Sequence, residues 1–143
     1  MSAELRSFVI ERAQGQCEYC LIHQDFSIYS HEVDHIIAIK HGGQTTPLNL
    51  CLSCLSCNRH KGSDLATIDL NTGEIIPLFN PRRQKWTEHF TLNNPYIDGL
   101  TPIGIATARL LKFNAPNRLI ERQILRFART LSSLILSHKF FFQ

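Results

Sequence analysis

The sequence contains no apolar run approaching the ~20 residues that a bilayer span requires, no internal repeat and no low-complexity segment. Charge is also sparse: Asp, Glu, Lys and Arg make up 19%, beside 43% hydrophobic residues, near globular norms of roughly 25% and 45–50%. These features exclude a membrane span, a collagen, a coiled-coil protein and bulk disorder. The segment Met1 to Ile10 sets Glu4 and Arg6 close together and lacks an apolar stretch, so it predicts no secretory signal and a cytoplasmic location. At 143 residues the chain has the length of one domain, and a chain of that size buries about two-thirds of its unfolded surface. It can build a core without disulfide staples.

The five cysteines are an odd number, and a cytoplasmic thiol pool keeps such residues reduced. Metal binding is the leading reading of any regular spacing among them. Charge is divided unevenly. Residues 1–80 hold five Lys/Arg against nine Asp/Glu, whereas residues 81–143 hold ten against three. A basic C-terminal half suits a polyanion such as nucleic acid, or a solvated helix face.

Apolar periodicity predicts a helix over 3–13, a strand over 31–39, a return strand over 49–52 and a short helix from Asn58 to about Leu65. A hairpin is expected over 67–77 around Asn71-Thr72-Gly73. Residues 80–100 read as irregular, with Trp86 and Phe90 as core anchors. Thr101-Pro102 opens a helix as N-cap and first-turn proline and runs to about Phe113. A last helix restarts at Asn114-Ala115-Pro116 with an apolar stripe of Leu119, Ile120, Ile124, Phe127, Leu131 and Leu134. The economical reading is one α+β domain over 1–143.

Cys17 and Cys20 form one C-x-x-C, and Cys54 and Cys57 a second. Thiolates at i and i+3 of a tight turn both reach one ion, and two such knuckles supply the four tetrahedral ligands of a structural zinc. Cys51 with Cys54 is also a C-x-x-C. A return strand through 49–52 would place Cys51 in β conformation, which favours Cys57 as the ligand and Cys51 as a small buried apolar residue.

Between the knuckles lie Asp34-His35-Ile36, Gly42-Gly43 and Asn49-Leu50, followed by Cys54-x-x-Cys57-Asn58-x-x-Lys61-Gly62. Histidine suits proton transfer near neutral pH. Asp34 and Asn58 offer oxygen donors of the kind magnesium or manganese accepts while keeping positions open. Over residues 12–64 this pattern resembles the HNH endonuclease family. The resemblance implies a ββα-metal core stapled by zinc, with residues 65–143 as a hairpin and basic helical extension. It implies that Asp34 and Asn58 hold a catalytic divalent metal, that His35 activates water, and that Asn49 braces the loop between the strands. It also implies hydrolysis of DNA phosphodiester bonds leaving a 5′-phosphate.

The sequence departs from the family in two places. Many members have His where Asn58 stands, with His60 two residues on as an alternative, and Ala38 replaces a common Pro. On alternation alone His31 shares a face with His35, as a site or surface histidine. Lys61, Arg82, Arg83 and Lys85 are candidate DNA contacts, with Arg118, Arg122, Arg126 and Arg129 as a basic helix face. Double-stranded DNA is the expected partner, and a homodimer is compatible. Two rivals are a zinc-stapled binding module without catalysis and a thiol-based redox or metal sensor.

Overall fold

The computed structural model describes residues 1–141, with side chains through residue 136. Helix α1 (Ala3–Arg12) starts at Ser2, whose side chain accepts from Leu5 N, one of the donors a helix start leaves unpaired. Strands β1 (Glu32–His35) and β2 (Leu50–Ser53) pair antiparallel, with Val33 opposite Leu52 and Asp34 opposite Cys51. Helix α2 (Leu55–Lys61) follows directly, with Cys54 as its N-cap. This is the expected ββα order, although the first strand stops at His35 instead of continuing to residue 39. Beyond it the chain turns into a looped excursion with short 3-10 turns at Ile39–His41 and Pro47–Asn49. Helix α2 likewise starts earlier than residue 58, because Cys54 caps it.

The hairpin β3 (Ala66–Ile68) and β4 (Ile75–Pro77) forms close to where it is expected. Residues 80–100 are more regular than their Pro and Gly content predicts. They hold a helical turn α3 (Trp86–His89) and a second hairpin, β5 (Phe90–Asn93) with β6 (Tyr96–Gly99). Phe90 and Ile97 are its buried residues, while Thr91, Leu92, Asn93, Tyr96 and Asp98 are exposed. Helix α4 (Pro102–Leu110) starts at Thr101, whose hydroxyl accepts from Gly104 N, and α5 (Pro116–Phe141) is the last element among the described residues.

One buried cluster joins both halves: Cys17, Tyr19, Cys20, Ile36, Cys51, Cys54 and Cys57 pack with Phe79, Phe90, Ile97, Leu111 and Phe113. A smaller one sets Val9 of α1 against Leu50 and Leu52. Strand β2 feeds both clusters, so every residue in it is buried.

Helix α5 reverses the expected orientation. Its buried positions are Arg118, Arg122 and Leu125, while Ile120, Ile124, Phe127, Leu131 and Leu134 are 47–69% exposed. The basic face is turned inward at its N-terminal end, and the apolar stripe faces solvent. The cause is a set of acceptors under the helix. The Arg122 guanidinium donates to Pro95 O, Phe113 O and Asn114 Oδ1, and Arg118 meets the cysteines.

Candidate metal centre and nuclease-type site

Each knuckle is a tight turn closed by its own sulfur: Cys20 N donates to Cys17 Sγ at 3.4 Å, and Cys57 N to Cys54 Sγ at 3.4 Å. The knuckles face one another, with Cys20 Sγ 3.6 Å from Cys54 Sγ. All four sulfurs are buried within 4.8 Å of one another. A tetrahedral ion with Zn–S bonds of about 2.3 Å spaces its sulfurs by ~3.8 Å, so the donor set fits one zinc. The four thiols titrate together: hydrogen bonds from the other three cysteines draw the Cys54 thiol below the ordinary range, while burial pushes Cys17 and Cys57 above it. Cys51 stands outside the group: it is buried on β2, its Sγ donates to the Tyr19 hydroxyl at 3.7 Å, and burial pushes it up to about 12.

Glu18 fixes the first knuckle to β2. Its backbone N donates to Leu52 O at 2.9 Å, its Oε2 accepts from Leu52 N at 2.8 Å, and its Oε1 pairs with Arg82. Arg82 was a candidate DNA contact; its guanidinium is instead largely enclosed and occupied by this ion pair. His31 is buried with Nε2 2.8 Å from Ile22 O, so it supports the first knuckle and lies before β1, not on the face of His35.

His35 ends β1, and its Nε2 is 2.8 Å from Thr45 Oγ1 in the loop. That loop is held by Asn49, whose Oδ1 accepts from Ile37 N and whose Nδ2 donates to Ile37 O and Gln44 O, each at 2.9 Å. The two glycines have separate reasons. Gly42 has φ +90°, which side-chain-bearing residues rarely adopt. At Gly43 a Cβ would lie 1.7 Å from Ile37 O, so only a hydrogen fits.

Asp34 lies on the other face of β1. Burial raises its carboxyl above the ordinary value, with Lys61 and His35 close enough to draw it back. Asn58 and Lys61 are three residues apart on α2 and share one helix face. Asn58 Nδ2 donates to Glu32 Oε2 at 3.0 Å, and Glu32 shares its strand face with Asp34. Lys61 is 3% exposed, its Nζ donating to Ile36 O at 2.9 Å. That placement contradicts the expected surface phosphate contact and makes Lys61 a buried cation anchored on the backbone of Ile36. His60 is turned back on its own helix, its Nδ1 2.8 Å from Ser56 O. Arg83 and Lys85 are exposed, and Arg83 lines a cleft with Ile36, Ile37 and Lys61. Arg118 and Arg122, expected on a solvated basic face, are buried, whereas Arg126 and Arg129 are exposed.

Three residues of the site were missed in the sequence. Glu32 carried a signal, since Glu-x-Asp on a strand shares a face. Glu18 and Thr45 carried none, because each acts across a fold contact; Arg118 was named for a basic face and not for the cysteines it meets.

Two facing C-x-x-C knuckles around a strand–loop–strand–helix unit define a ββα unit with a four-cysteine cluster that could hold a metal ion. Residues 17–64 match the family model of the HNH endonucleases, so the chain carries an HNH domain with its four-cysteine cluster, and the family is one of nucleases. No curated protein and no solved structure was found to match the chain. Among the described residues no helix is long and apolar enough to cross a membrane.

Proposed function

We propose that the protein is a metal-dependent endonuclease that hydrolyses phosphodiester bonds of double-stranded DNA in the cytoplasm, its whole length folding as one domain around a structural zinc. The observation carrying this reading is the placement of His35. It sits at the end of β1 with Nε2 engaged by Thr45, on a loop pinned by Asn49. With Thr45 accepting from Nε2–H, Nδ1 is the unprotonated nitrogen, free to take a proton from the attacking water. Asp34 from β1 and Asn58 from α2 would hold a magnesium or manganese ion, whose contribution is to stabilise charge on the scissile phosphate. Glu32 accepts from the Asn58 amide nitrogen, which leaves Asn58 Oδ1 as the donor toward a cation. Arg83, on the rim of the neighbouring cleft, and exposed Lys85 are the DNA contacts this reading retains.

The test is cleavage of supercoiled plasmid by zinc-loaded protein in magnesium, manganese or EDTA, with His35→Ala in parallel. Cleavage that requires the divalent ion and falls at least 100-fold in a folded His35→Ala supports the reading. Equal cleavage by the variant removes His35 as the base, and none by the wild type on duplex or single-stranded DNA favours a binding module.

A homodimer belongs to this proposal. Ile120, Ile124, Phe127, Leu131 and Leu134 recur at spacings of four and three, the 3.5-residue repeat of paired helices, and all five are largely exposed. Burying the exposed part of each against a second copy gains about 1 kcal/mol. Ten such side chains in a symmetric pair then give ~10 kcal/mol before association costs of about 4–15 kcal/mol. Light scattering should give twice the chain mass for wild type and one chain mass for Phe127→Glu. A wild-type monomer at micromolar concentration rules the pairing out.

A further inference from the structure

Arg118 is 1% exposed, and its guanidinium lies among sulfurs that belong to residues 61–98 positions earlier in the chain. Nη2 donates to Cys20 Sγ at 2.8 Å and to Cys54 Sγ at 3.5 Å, and Nη1 to Cys57 Sγ at 3.9 Å. Its one carboxylate neighbour, Glu121 Oε2, lies 3.3 Å from Nε and is on the half-exposed outer side. A guanidinium is costly to bury unless opposite charge and acceptors surround it.

We propose that Arg118 is a working part of the zinc centre and that this contact is what docks helix α5, so that metal retention and helix docking rise and fall together. Four thiolates around one zinc carry a net charge of −2, enclosed in apolar surroundings. Arg118 halves that charge and satisfies sulfur lone pairs that face away from the metal. It arrives from outside the HNH segment, on a helix whose other buried contacts near its start are Arg122 and Leu125. The C-terminal helix is positioned by the charge of the metal–thiolate cluster more than by apolar packing. The inference needs the zinc site and not the nuclease activity.

The experiment follows zinc release from the full-length, zinc-loaded protein to excess chromogenic chelator, for wild type, Arg118→Lys, Arg118→Met and Arg122→Ala. Partners that touch metal ligands are typically worth 10–100-fold in metal affinity. Release from Arg118→Met should accelerate by about that factor, with Arg118→Lys intermediate because it keeps charge but loses the fork. Arg122→Ala, which loses a buried arginine touching no sulfur but helping to seat α5, should accelerate release clearly less than Arg118→Met. Cobalt-substituted Arg118→Met should also show a shifted sulfur-to-metal charge-transfer band. Wild-type release and an unshifted band in Arg118→Met would overturn the proposal, as would equal acceleration in Arg122→Ala. Should Arg118→Met fail to fold, hydrogen exchange on wild type decides. Zinc removal should deprotect residues 117–125 together with the knuckles, and deprotection of the knuckles alone would refute the coupling.

Discussion

Asn49 is the strongest point at which to test how the site is held. Its side chain makes three hydrogen bonds of 2.9 Å, one accepted from Ile37 N and two donated to Ile37 O and Gln44 O. Each such bond contributes about 1 kcal/mol net, and the site is half-buried, so water recovers part of the loss. Asn49→Ala should therefore cost about 2–3 kcal/mol. For a domain of this size that corresponds to roughly 6–10 °C in Tm. Asn49→Asp is the sharper perturbation, because it keeps the acceptor for Ile37 N but sets an anion against two carbonyl oxygens. It should melt no higher than the alanine variant. Differential scanning calorimetry on zinc-loaded protein measures both, and plasmid cleavage should fall with them as Thr45 loses its place beside His35. An alanine variant melting within 2 °C of wild type, or an aspartate variant clearly above alanine, would refute the bracing role.

Gly43→Ala should cost about 1–3 kcal/mol because its Cβ meets the Ile37 carbonyl, as overpacking of a rigid site does. Gly42→Asn should be nearly neutral, since only the left-handed φ must be met there; equal melting of the two would remove the distinction. Cys51, with its thiol pushed from 9.0 up to about 12 by burial, should resist iodoacetamide at pH 8 in the native state and react only on unfolding. The sign for stability follows from the same shift. The contribution is full below pH 9 and is lost as pH rises through about 12, because the unfolded thiol ionises first. Alkylation of native Cys51 at the rate of a free thiol would contradict its burial.

Local spacing made the thiolate knuckles and the Asp34–His35, Gly42–Gly43, Asn49 and Asn58 constellation readable, because those elements are built within a few residues each. The choice of Cys54 with Cys57 over Cys51 was also legible, through the β conformation of 50–53. Contacts set by tertiary placement were not. Charge periodicity put Arg118 and Arg122 on a solvent face, yet the acceptors that draw them inward come from the knuckles, the β5–β6 turn and the α4–α5 link. Lys61 and Arg82 read as free cations until Ile36 O and Glu18 claimed them. The β5–β6 hairpin was hidden by Pro95 and Gly99, which at a turn and a strand end are compatible with pairing.

The cluster shared by the two halves bears on how such a protein can be recombined. Trp86 Nε1 donates to Tyr19 O at 2.8 Å, inside the first knuckle, and Phe79, Phe90 and Phe113 cover the cysteines from beyond residue 64. A cut after Asp64 would strip the thiolate cluster of its apolar roof and of its one arginine. The HNH segment is thus no portable cassette. Grafting it onto another extension would mean redesigning an aromatic interface and a charge partner together. The unit that can be exchanged intact runs from α1 at least through Leu125 in α5.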